Sequence, residues 1–373
     1  MTTRRHVLSL SAMPALAGVA ASPLALLASP AHAAEPRLDP KLAFPTKRAI
    51  AGGLHYLRGK QAPDGSLLGS VGVTALALRA FLESPEAYNE TDGPFITRQV
   101  EFILSKVRPD GGISASLQGT AYNTAVAITA LAATRNPKYD EVIANARRFL
   151  IGHQVDEDEG YKPDHHFFGG IGYGGGERPD LSNLYMSLEG LKATATDPKD
   201  PVWQKALTFI SRSQNRSESN DQPWAGNDGG FVYRPGYNPP EYENGTQSYG
   251  GMTAAGLLSL LFAGADKNDA RVQAAFKWMT ANFTLDTNPG TGKKHGLFYY
   301  YNALAKVLYA MGEDSFVDGQ GQRRNWRNEM AAKLISLQAP DGSWRNTESG
   351  AWMESRPELV TAWSAIALEH VIR

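Results

Sequence analysis

The feature that most constrains the fold is a short motif that recurs along the chain. The hexapeptide Gln-Ala-Pro-Asp-Gly-Ser begins at Gln61 and again at Gln338. Related versions begin at Val107 and Asn227, and a degenerate version begins at Gln154. Each copy follows one helical pattern of hydrophobic residues and precedes another, which indicates a chain built from repeated helical hairpins.

The helices that flank these motifs fall into two classes. Those before the motif mix charged and apolar residues at helical spacing, and we predict them over 46–61, 98–107, 139–154, 201–214, 270–283 and 323–338. Those after the motif are more apolar and richer in small residues, and we predict them over 70–83, 119–133, 179–193, 248–264, 297–311 and 357–372. The chain therefore alternates an amphipathic helix with a mostly apolar helix through six hairpins.

Six hairpins of this kind must pack side by side, because none can bury its apolar face alone. An open row would leave two uncovered ends, whereas a closed ring with the apolar helices inside leaves none. We therefore predict an all-α fold, a single (α/α)6 toroid of six repeats over residues 34–373. The loops that lead from outer to inner helices should meet at one end, around the mouth of a central cavity.

The run Gln-x-x-Asp-Gly-Ser-Trp from Gln338 to Trp344 resembles the repeat shared by squalene cyclases and protein prenyltransferase β-subunits. The Thr-Ala steps near the start of two apolar helices, at Thr74 and Thr253, are similar as well. The resemblance covers essentially all of the chain after residue 33, and it implies a terpene-cyclase- or prenyltransferase-like barrel with a central cavity. It implies no particular activity, because one toroid hosts many chemistries.

The chain also departs from those families. It contains no cysteine, so the Asp-Cys-His zinc site of protein prenyltransferases is absent, and disulfides and reactive thiolates are excluded. The acidic run 156–159 occupies a degenerate loop motif rather than the start of an apolar helix, unlike the acid motif of squalene cyclases. We therefore carry over no catalytic residue from these families, and we predict neither a metal ion nor a cofactor.

The first residues form a second pattern. The pair Arg4-Arg5 precedes an alanine-rich apolar run that ends in the small-x-small site Ala31-His32-Ala33. This order is typical of a twin-arginine signal peptide, here residues 1–33, and it predicts a periplasmic or secreted mature protein. Prolines interrupt the run, which argues against a transmembrane anchor. A formal net charge of -1 gives no reason to expect a nucleic acid partner.

Aligning the six apolar helices places one small polar residue from each in a single column. The members are Thr74, Asn123, Asn183, Thr253, Asn302 and Thr361. Such residues either bond to nearby backbone at helix starts or line the cavity. Asparagine is unfavourable in a helix without a reason, so we take the three asparagines as the candidate ligand-binding members.

Two pairs of motifs lie three repeats apart, which means diametrically opposite in a ring of six. Arg178-Pro-Asp-Leu matches Arg356-Pro-Glu-Leu, and Tyr122-Asn123 matches Tyr301-Asn302. The first match predicts that the carboxylates of Asp180 and Glu358 face each other across the cavity mouth. The adjacent arginines should favour their charged forms, which indicates binding or orientation rather than proton donation. Stabilisation of the two helix starts is the alternative interpretation.

Aromatic residues crowd the predicted mouth and inner wall, namely Phe167, Phe168, Tyr173, Tyr185, Trp224, Phe231, Tyr299, Tyr300, Tyr301, Trp352 and Trp363. Three loop histidines, His165, His166 and His295, are candidate bases or metal ligands. The candidate catalytic residues are Asp180, Glu358, Tyr301 and His166. The candidate ligand-binding residues are Arg178, Arg356, Asn123, Asn183, Asn302, Tyr122, Tyr173 and Trp352.

Three functions fit these features. The first is an exported terpene-cyclase-like protein that binds or transforms an apolar, isoprenoid-like ligand in an aromatic cavity. The second is a periplasmic polysaccharide lyase or glycosidase, in which Tyr122 or Tyr301 is acid or base and an arginine neutralises a substrate carboxylate. The third is a non-catalytic binding or scaffold protein. The predicted partner is therefore a small molecule or a glycan.

Overall fold

The computed structural model describes residues 37–174 and 178–373, which form one compact unit. The signal peptide predicted at 1–33 lies outside the described residues. The described residues contain twelve α-helices: α1 Pro40–Lys60, α2 Val71–Glu83, α3 Pro94–Leu104, α4 Thr120–Ala133, α5 Asp140–Ile151, α6 Leu181–Ala193, α7 Pro201–Arg212, α8 Gly250–Phe262, α9 Ala270–Ala281, α10 Leu297–Met311, α11 Trp326–Leu337 and α12 Pro357–Ile372. Two short antiparallel strands, β1 Phe316–Val317 and β2 Arg323–Arg324, pair between α10 and α11.

The even-numbered helices form a closed inner ring. Each packs on the next, α2 on α4, α4 on α6, α6 on α8, α8 on α10 and α10 on α12, and α12 returns to pack on α2. The odd-numbered helices lie outside, and α1 packs on both α11 and α12, so the first hairpin covers the last. The predicted (α/α)6 toroid of six helical hairpins is confirmed.

Burial separates the two layers as their sequences predict. Every residue of α12 from Leu359 to Val371 is buried, whereas α9 buries five of its residues along one stripe. A helix that is apolar on all sides must be covered on all sides, and an amphipathic helix needs cover on one face only. This is why the apolar class forms the inner ring.

A glutamine that follows each of four outer helices ties the next loop to the following outer helix. Gln338 Nε2 donates to Gly342 O and to Ala49 O of α1, both at 2.9 Å, and so joins the sixth hairpin to the first. Gln61, Gln154 and Gln214 make the same pair of bonds, each to its own loop glycine and to the first turn of the following outer helix. The repeated motif is therefore the joint between neighbouring hairpins.

The glycine of the motif is required by both conformation and space. Gly65 has a φ of +90°, and a Cβ atom there would lie 2.1 Å from Arg98 O in α3. Gly342 has a φ of +88°, and its Cβ atom would lie 2.4 Å from Gly52 O in α1. Only glycine allows the turn to press so closely on the next outer helix.

The threonines of the predicted column hold the other side of the same loops. The hydroxyl oxygens of Thr74, Thr253 and Thr361 accept the backbone N–H of the residue that ends their own loop motif, at 2.9, 3.1 and 3.0 Å. In the second hairpin Thr124 makes this bond, at 2.8 Å, so the sequence alignment on Asn123 is wrong by one residue. Asn123, one residue earlier in α4, lies in the cavity wall instead.

Candidate functional site

A cavity of about 380 Å³ opens where the outer-to-inner loops meet, among the first turns of the inner helices. Its wall carries six tyrosines, two tryptophans and three methionines, namely Tyr122, Tyr173, Tyr233, Tyr242, Tyr249, Tyr299, Trp352, Trp363, Met186, Met252 and Met353. No side chain of Asp, Glu, Lys, Arg or His from the described residues lines it. Its volume falls in the range of small-molecule sites, roughly 300–1,000 Å³.

The carboxyl group of Asp180 lies just behind this wall. Asp180 caps α6, is 1% exposed, and accepts hydrogen bonds from Ser182 Oγ at 2.6 Å, Asn183 N–H at 3.0 Å and Asn183 Nδ2 at 2.6 Å. The Tyr233 hydroxyl bonds to it as well. Burial raises the pKa of Asp180 and outweighs these hydrogen bonds, which lower it. Because Ser182 and Tyr233 both line the cavity, the acid is one hydrogen bond away from it.

Glu354 fixes the opposite side of the cavity, and its role was not predicted. This buried carboxylate comes from the loop before α12 and caps α10, accepting the backbone N–H groups of Leu297 at 3.0 Å, Phe298 at 2.8 Å and Tyr299 at 2.9 Å. Burial raises the pKa of Glu354 to about 7. The contact holds the first turn of α10, with the lining residue Tyr299, against the last loop.

The mouth is bordered by two apolar residues in an unusual backbone conformation. Trp352 and Met353 have φ values of +57° and +63°, although neither is glycine, and they are 41% and 50% exposed. Trp352 Nε1 donates to the Tyr242 hydroxyl at 3.1 Å, which holds the indole at the rim. Left-handed backbone at two successive non-glycine residues is strained and needs a surrounding structure that enforces it.

Asparagine side chains order the helix starts around the cavity. Asn123 Oδ1 accepts the Gly72 N–H at 3.0 Å and its Nδ2 donates to Ser114 Oγ at 3.0 Å, so it joins the starts of α2 and α4. Asn288 Oδ1 accepts the Gly251 N–H at 2.9 Å in the same manner at the start of α8. Both asparagines line the cavity.

Solved structures place this architecture among known folds. A variant of the type II terpene cyclase MstE from Scytonema, in complex with geranylgeranyl dihydroxybenzoate, aligns with a TM-score of 0.55 at 15% identity over 89% of this chain and 99% of that chain. A protein described as a novel α-amylase from Clostridium perfringens aligns with a TM-score of 0.56 at 12% identity, over 86% of this chain and 97% of that one. The fold is a terpene-cyclase-like α/α toroid.

This likeness concerns the fold alone, because every one of these identities is low. No family model matches the chain, and no curated protein sequence matches it either. The terpene-cyclase-like toroid therefore tells us where a ligand would lie, and the chemistry must be argued from the residues of this chain.

The structure separates the four candidate catalytic residues. Asp180 lies beside the cavity, but the half-buried Glu358 lies near Tyr56 of α1, whose pKa it helps to raise. Tyr301 is buried behind the wall, where its hydroxyl donates to a backbone oxygen, Leu285 O. His166 lines a separate surface depression in the third loop rather than the cavity. The predicted pairing of Asp180 and Glu358 across the mouth is therefore not what the structure contains.

The offset between the two matched motifs explains this difference. Asp180 is the N-cap of α6, whereas Glu358 follows Pro357 inside the first turn of α12, whose N-cap is Arg356. Asp180 has an extended backbone and turns back to cap its own helix, whereas Glu358 projects from the first helical turn, so equal motifs direct their carboxylates differently. The expectation that an adjacent arginine keeps Asp180 charged is also wrong, because burial dominates its pKa.

The candidate ligand-binding residues divide evenly. Tyr122, Asn123, Tyr173 and Trp352 line the cavity, whereas Asn183, Asn302, Arg178 and Arg356 do not. Asn183 Nδ2 donates to the Asp180 carboxyl group at 2.6 Å, and Asn302 Nδ2 donates to Trp363 O at 3.1 Å. Arg178 and Arg356 are exposed outside the lining.

The aromatic wall was predicted in part. Tyr173, Tyr299, Trp352 and Trp363 line the cavity, whereas the other aromatic residues proposed for it pack in the core or around the loops. Sequence reasoning missed Tyr233, Tyr242 and Tyr249, which come from the long fourth loop. That loop has no periodicity from which a facing direction could be read.

A second buried polar cluster joins the inner helices below the cavity. Glu189 of α6 bonds to Arg79 Nη1 of α2 at 2.7 Å and to Lys306 Nζ of α10 at 2.9 Å, and Lys306 also bonds to the Tyr185 hydroxyl at 3.0 Å. Burial alone would raise the pKa of Glu189, but Arg79 and Lys306 outweigh it and hold the value at about 2. Burial lowers the pKa of Lys306 to about 8. These three residues tie alternate inner helices together across the axis.

Proposed function

We propose that this protein binds and transforms a largely apolar, isoprenoid-like ligand in the aromatic cavity. The observation that carries the proposal is the wall itself, which consists mainly of tyrosine, tryptophan and methionine and contains no charged side chain among the described residues. Aromatic faces and thioethers contact apolar chains well, and aromatic faces also stabilise positive charge.

The terpene cyclase of similar fold supports this choice of ligand class. Its structure contains geranylgeranyl dihydroxybenzoate, a ligand with an isoprenoid chain. The support is limited to the suitability of such a toroid for such a chain, since the two proteins share 15% identity.

Within this proposal, Asp180 is the proton donor. Its raised pKa favours the neutral acid, and Tyr233 or Ser182 connects it to the cavity. Replacing it by the isosteric amide, Asp180→Asn, should abolish conversion of a bound ligand while ligand affinity changes little. Equal turnover by the variant and the wild type would show that Asp180 is not the proton donor. If the wild type binds the ligand but does not convert it, the protein is a binding protein rather than an enzyme.

The polysaccharide lyase or glycosidase hypothesis has less support. Its candidate acid or base Tyr301 and its candidate arginines lie outside the cavity, and His166 lies in a different depression. Only Tyr122 of that set lines the cavity. We therefore do not propose a glycan substrate.

We also propose that the protein is exported through the twin-arginine pathway. The support is the Arg4-Arg5 pair and the alanine-rich run after it. Cell fractionation of the native host should find the wild type outside the cytoplasm and the Arg4→Lys, Arg5→Lys double variant inside it. Export of both forms would contradict this assignment. Among the described helices, none is long and apolar enough to cross a membrane.

The direct test of the ligand class is extraction. The protein is purified from the exported fraction of its native host without detergent, and its organic extract is analysed by mass spectrometry. We expect an isoprenoid-like species in stoichiometric proportion to the protein. An extract that holds no such molecule, together with no binding of added prenyl compounds, would end the proposal.

A further inference from the structure

Two loops beside the cavity bring a serine and a histidine into direct contact that the proposed function leaves unexplained. Ser349, in the loop before α12, has its Oγ 2.6 Å from Nδ1 of His295, in the loop before α10. We infer that Ser349 is a nucleophile with His295 as its general base, and that this pair hydrolyses carboxylic esters whose apolar chain lies in the aromatic cavity. The position of the chain rests on the proposed function, whereas the roles of Ser349 and His295 rest on their own contacts.

The contacts of Ser349 favour transfer of its hydroxyl proton to the histidine. The Ala351 N–H donates to Ser349 Oγ at 3.2 Å, and the Ser349 N–H donates to Asn346 Oδ1 at 3.0 Å. With its oxygen accepting from Ala351, the hydroxyl directs its own hydrogen at His295 Nδ1 when the histidine carries its hydrogen on Nε2. A serine hydroxyl within hydrogen-bond reach of an imidazole nitrogen is the arrangement that activates it as a nucleophile.

The histidine is held from the side of the cavity. Asn288, which belongs to the cavity wall, donates from Nδ2 to His295 O at 3.1 Å. The Tyr242 ring meets the imidazole at an angle of 65°, with the two centroids 6.5 Å apart. These contacts leave the half-buried imidazole facing Ser349.

A carboxylate next to Tyr242 along the chain stabilises the protonated form of the histidine. Glu243 has a left-handed backbone, with a φ of +52°. Lys293 lowers the pKa of Glu243 by a hydrogen bond and by its charge, and His295 lowers it further. The attraction is mutual, so Glu243 favours the imidazolium that forms when Ser349 loses its proton.

An unpaired backbone N–H group follows the serine. The Gly350 N–H makes no hydrogen bond with any described residue, and Gly350 is exposed. The negative oxygen of a tetrahedral intermediate needs such a donor, and the N–H of the residue after the nucleophile supplies one in many serine hydrolases. Ser349 keeps 8% of its surface exposed between the exposed residues Glu348 and Gly350, which leaves an approach for a carbonyl group.

The pair borders the aromatic cavity. Gly296, directly after His295, and Trp352, three residues after Ser349, both line the cavity. Trp352 Nε1 donates to the hydroxyl of Tyr242, so the two loops meet on one side of the mouth. An ester group at this rim lies next to Ser349 while its apolar chain lies among the aromatic residues of the wall.

The reaction is the transfer of an acyl group to water. Ser349 Oγ forms a bond to the carbonyl carbon while its proton moves to His295 Nδ1. The bond from that carbon to the alcohol oxygen then breaks, and the leaving alkoxide takes the proton from His295. A water molecule repeats both steps on the acyl-serine and releases the carboxylic acid, which restores the two side chains.

Covalent labelling tests the nucleophile. A fluorophosphonate reacts rapidly with an activated serine hydroxyl and slowly with an ordinary one. The wild type should take up one equivalent, and tandem mass spectrometry should find it on Ser349. Thr347→Ala, which removes another hydroxyl from the same loop at an exposed position, should be labelled like the wild type, whereas Ser349→Ala should not. A wild type that is not labelled at Ser349 would overturn the inference.

The p-nitrophenyl esters of acetic, hexanoic and decanoic acid test the substrate class. From acetate to decanoate, kcat/KM should rise roughly tenfold or more, because the longer chain buries more apolar surface in the cavity. Ser349→Ala and His295→Gln should each lower kcat roughly 100-fold or more, while Thr347→Ala should change it little. Hydrolysis that persists unchanged in Ser349→Ala would show that the pair does not carry the reaction.

A thiol in place of the hydroxyl tests the base without any substrate. The chain contains no cysteine, so Ser349→Cys and its control Thr347→Cys each contain a single thiol. The rate of alkylation by iodoacetamide, measured against pH, reports the thiolate. The profile of Ser349→Cys should lie about one pH unit or more below that of Thr347→Cys, and adding His295→Gln should abolish the shift. Identical profiles would contradict the role of His295.

The failures of the two proposals are distinguishable. If Ser349 is not labelled and Ser349→Ala hydrolyses the esters as the wild type does, this inference is wrong and the proposed function stands. If Ser349 is labelled but the three esters react with equal kcat/KM, the apolar chain does not lie in the cavity. That result contradicts the proposed function and the substrate class inferred from it.

Discussion

The two halves of the barrel axis differ although the same six inner helices build both. The first turns of these helices surround a hollow with an uncharged aromatic wall, whereas their later turns meet in the ion cluster of Arg79, Glu189 and Lys306. The half with the ion cluster ties α2, α6 and α10 together by direct bonds. We conclude that these buried bonds hold the ring together at one end, while the other end surrounds the aromatic cavity.

Removing the carboxylate of the ion cluster should have the largest effect. Glu189→Gln leaves Arg79 and Lys306 buried beside a neutral amide, and unpaired buried charge costs about 3–5 kcal/mol. Denaturant unfolding should show this loss, while Glu86→Gln, at an exposed position near the same end, should change the free energy of unfolding by about 0.5 kcal/mol or less. A loss below about 1 kcal/mol for Glu189→Gln would show that the two halves do not differ in this way.

The stability contributed by a carboxylate in each half should change with pH in opposite directions. The folded-state pKa of Glu354, beside the cavity, is raised from 4.5 to about 7, so its contribution is complete below pH 4.5 and lost as the pH rises through about 7. The pKa of Glu189 is lowered from 4.5 to about 2, so its contribution is complete above pH 4.5 and lost as the pH falls through about 2.

Unfolding measured at pH 5, 6 and 7 tests the first of these two trends. Glu354→Gln should flatten the decline in the free energy of unfolding across that interval, while Glu348→Gln, on an exposed carboxylate of the same loop, should leave it unchanged. An identical slope in Glu354→Gln and the wild type would contradict the assignment.

A matched pair of tyrosines gives the smallest and sharpest contrast. The Tyr185 hydroxyl bonds to Lys306, so Tyr185→Phe should cost about 1–3 kcal/mol. The buried Tyr299 hydroxyl on the cavity side has no hydrogen-bond partner among the described residues, so Tyr299→Phe should be neutral or slightly stabilising. Thermal unfolding measures both changes in stability. Equal losses of stability in the two variants would show that the halves do not differ in this way.

The sequence predicted the fold far better than the site. Helices predicted at 297–311 and 357–372 begin and end at those residues in the structure, because a sixfold repeat sets the register of each hairpin from all the others. Starts moved by one or two residues in the other inner helices, as in α8, where Tyr249 is the N-cap. Among the outer helices the differences are larger, since α1 begins six residues and α3 four residues before the predicted starts, and α11 begins three residues after. Local periodicity and repetition were sufficient for this level of structure.

The site depends on contacts that periodicity does not encode. Glu354 caps a helix whose start is 57 residues away, and Tyr233 and Tyr242 reach the cavity from an irregular loop. The ion cluster joins Arg79 to Glu189, which are 110 residues apart in the chain, and no local sequence pattern predicts this contact. Asp180 was identified because an N-cap carboxylate has a local signature, whereas its raised pKa follows from burial that only the folded chain creates.

Filling the cavity tests the central claim most directly. Gly251 lines the cavity, and a Cβ atom there would meet only cavity-lining side chains, the nearest at 3.5 Å, so Gly251→Phe should fold and occupy the space. Calorimetry with the methyl ester of farnesoic acid should show binding to the wild type and to Gly59→Phe, at an exposed position on α1, and no binding to Gly251→Phe. Undiminished binding by a folded Gly251→Phe variant would show that the ligand lies outside this cavity.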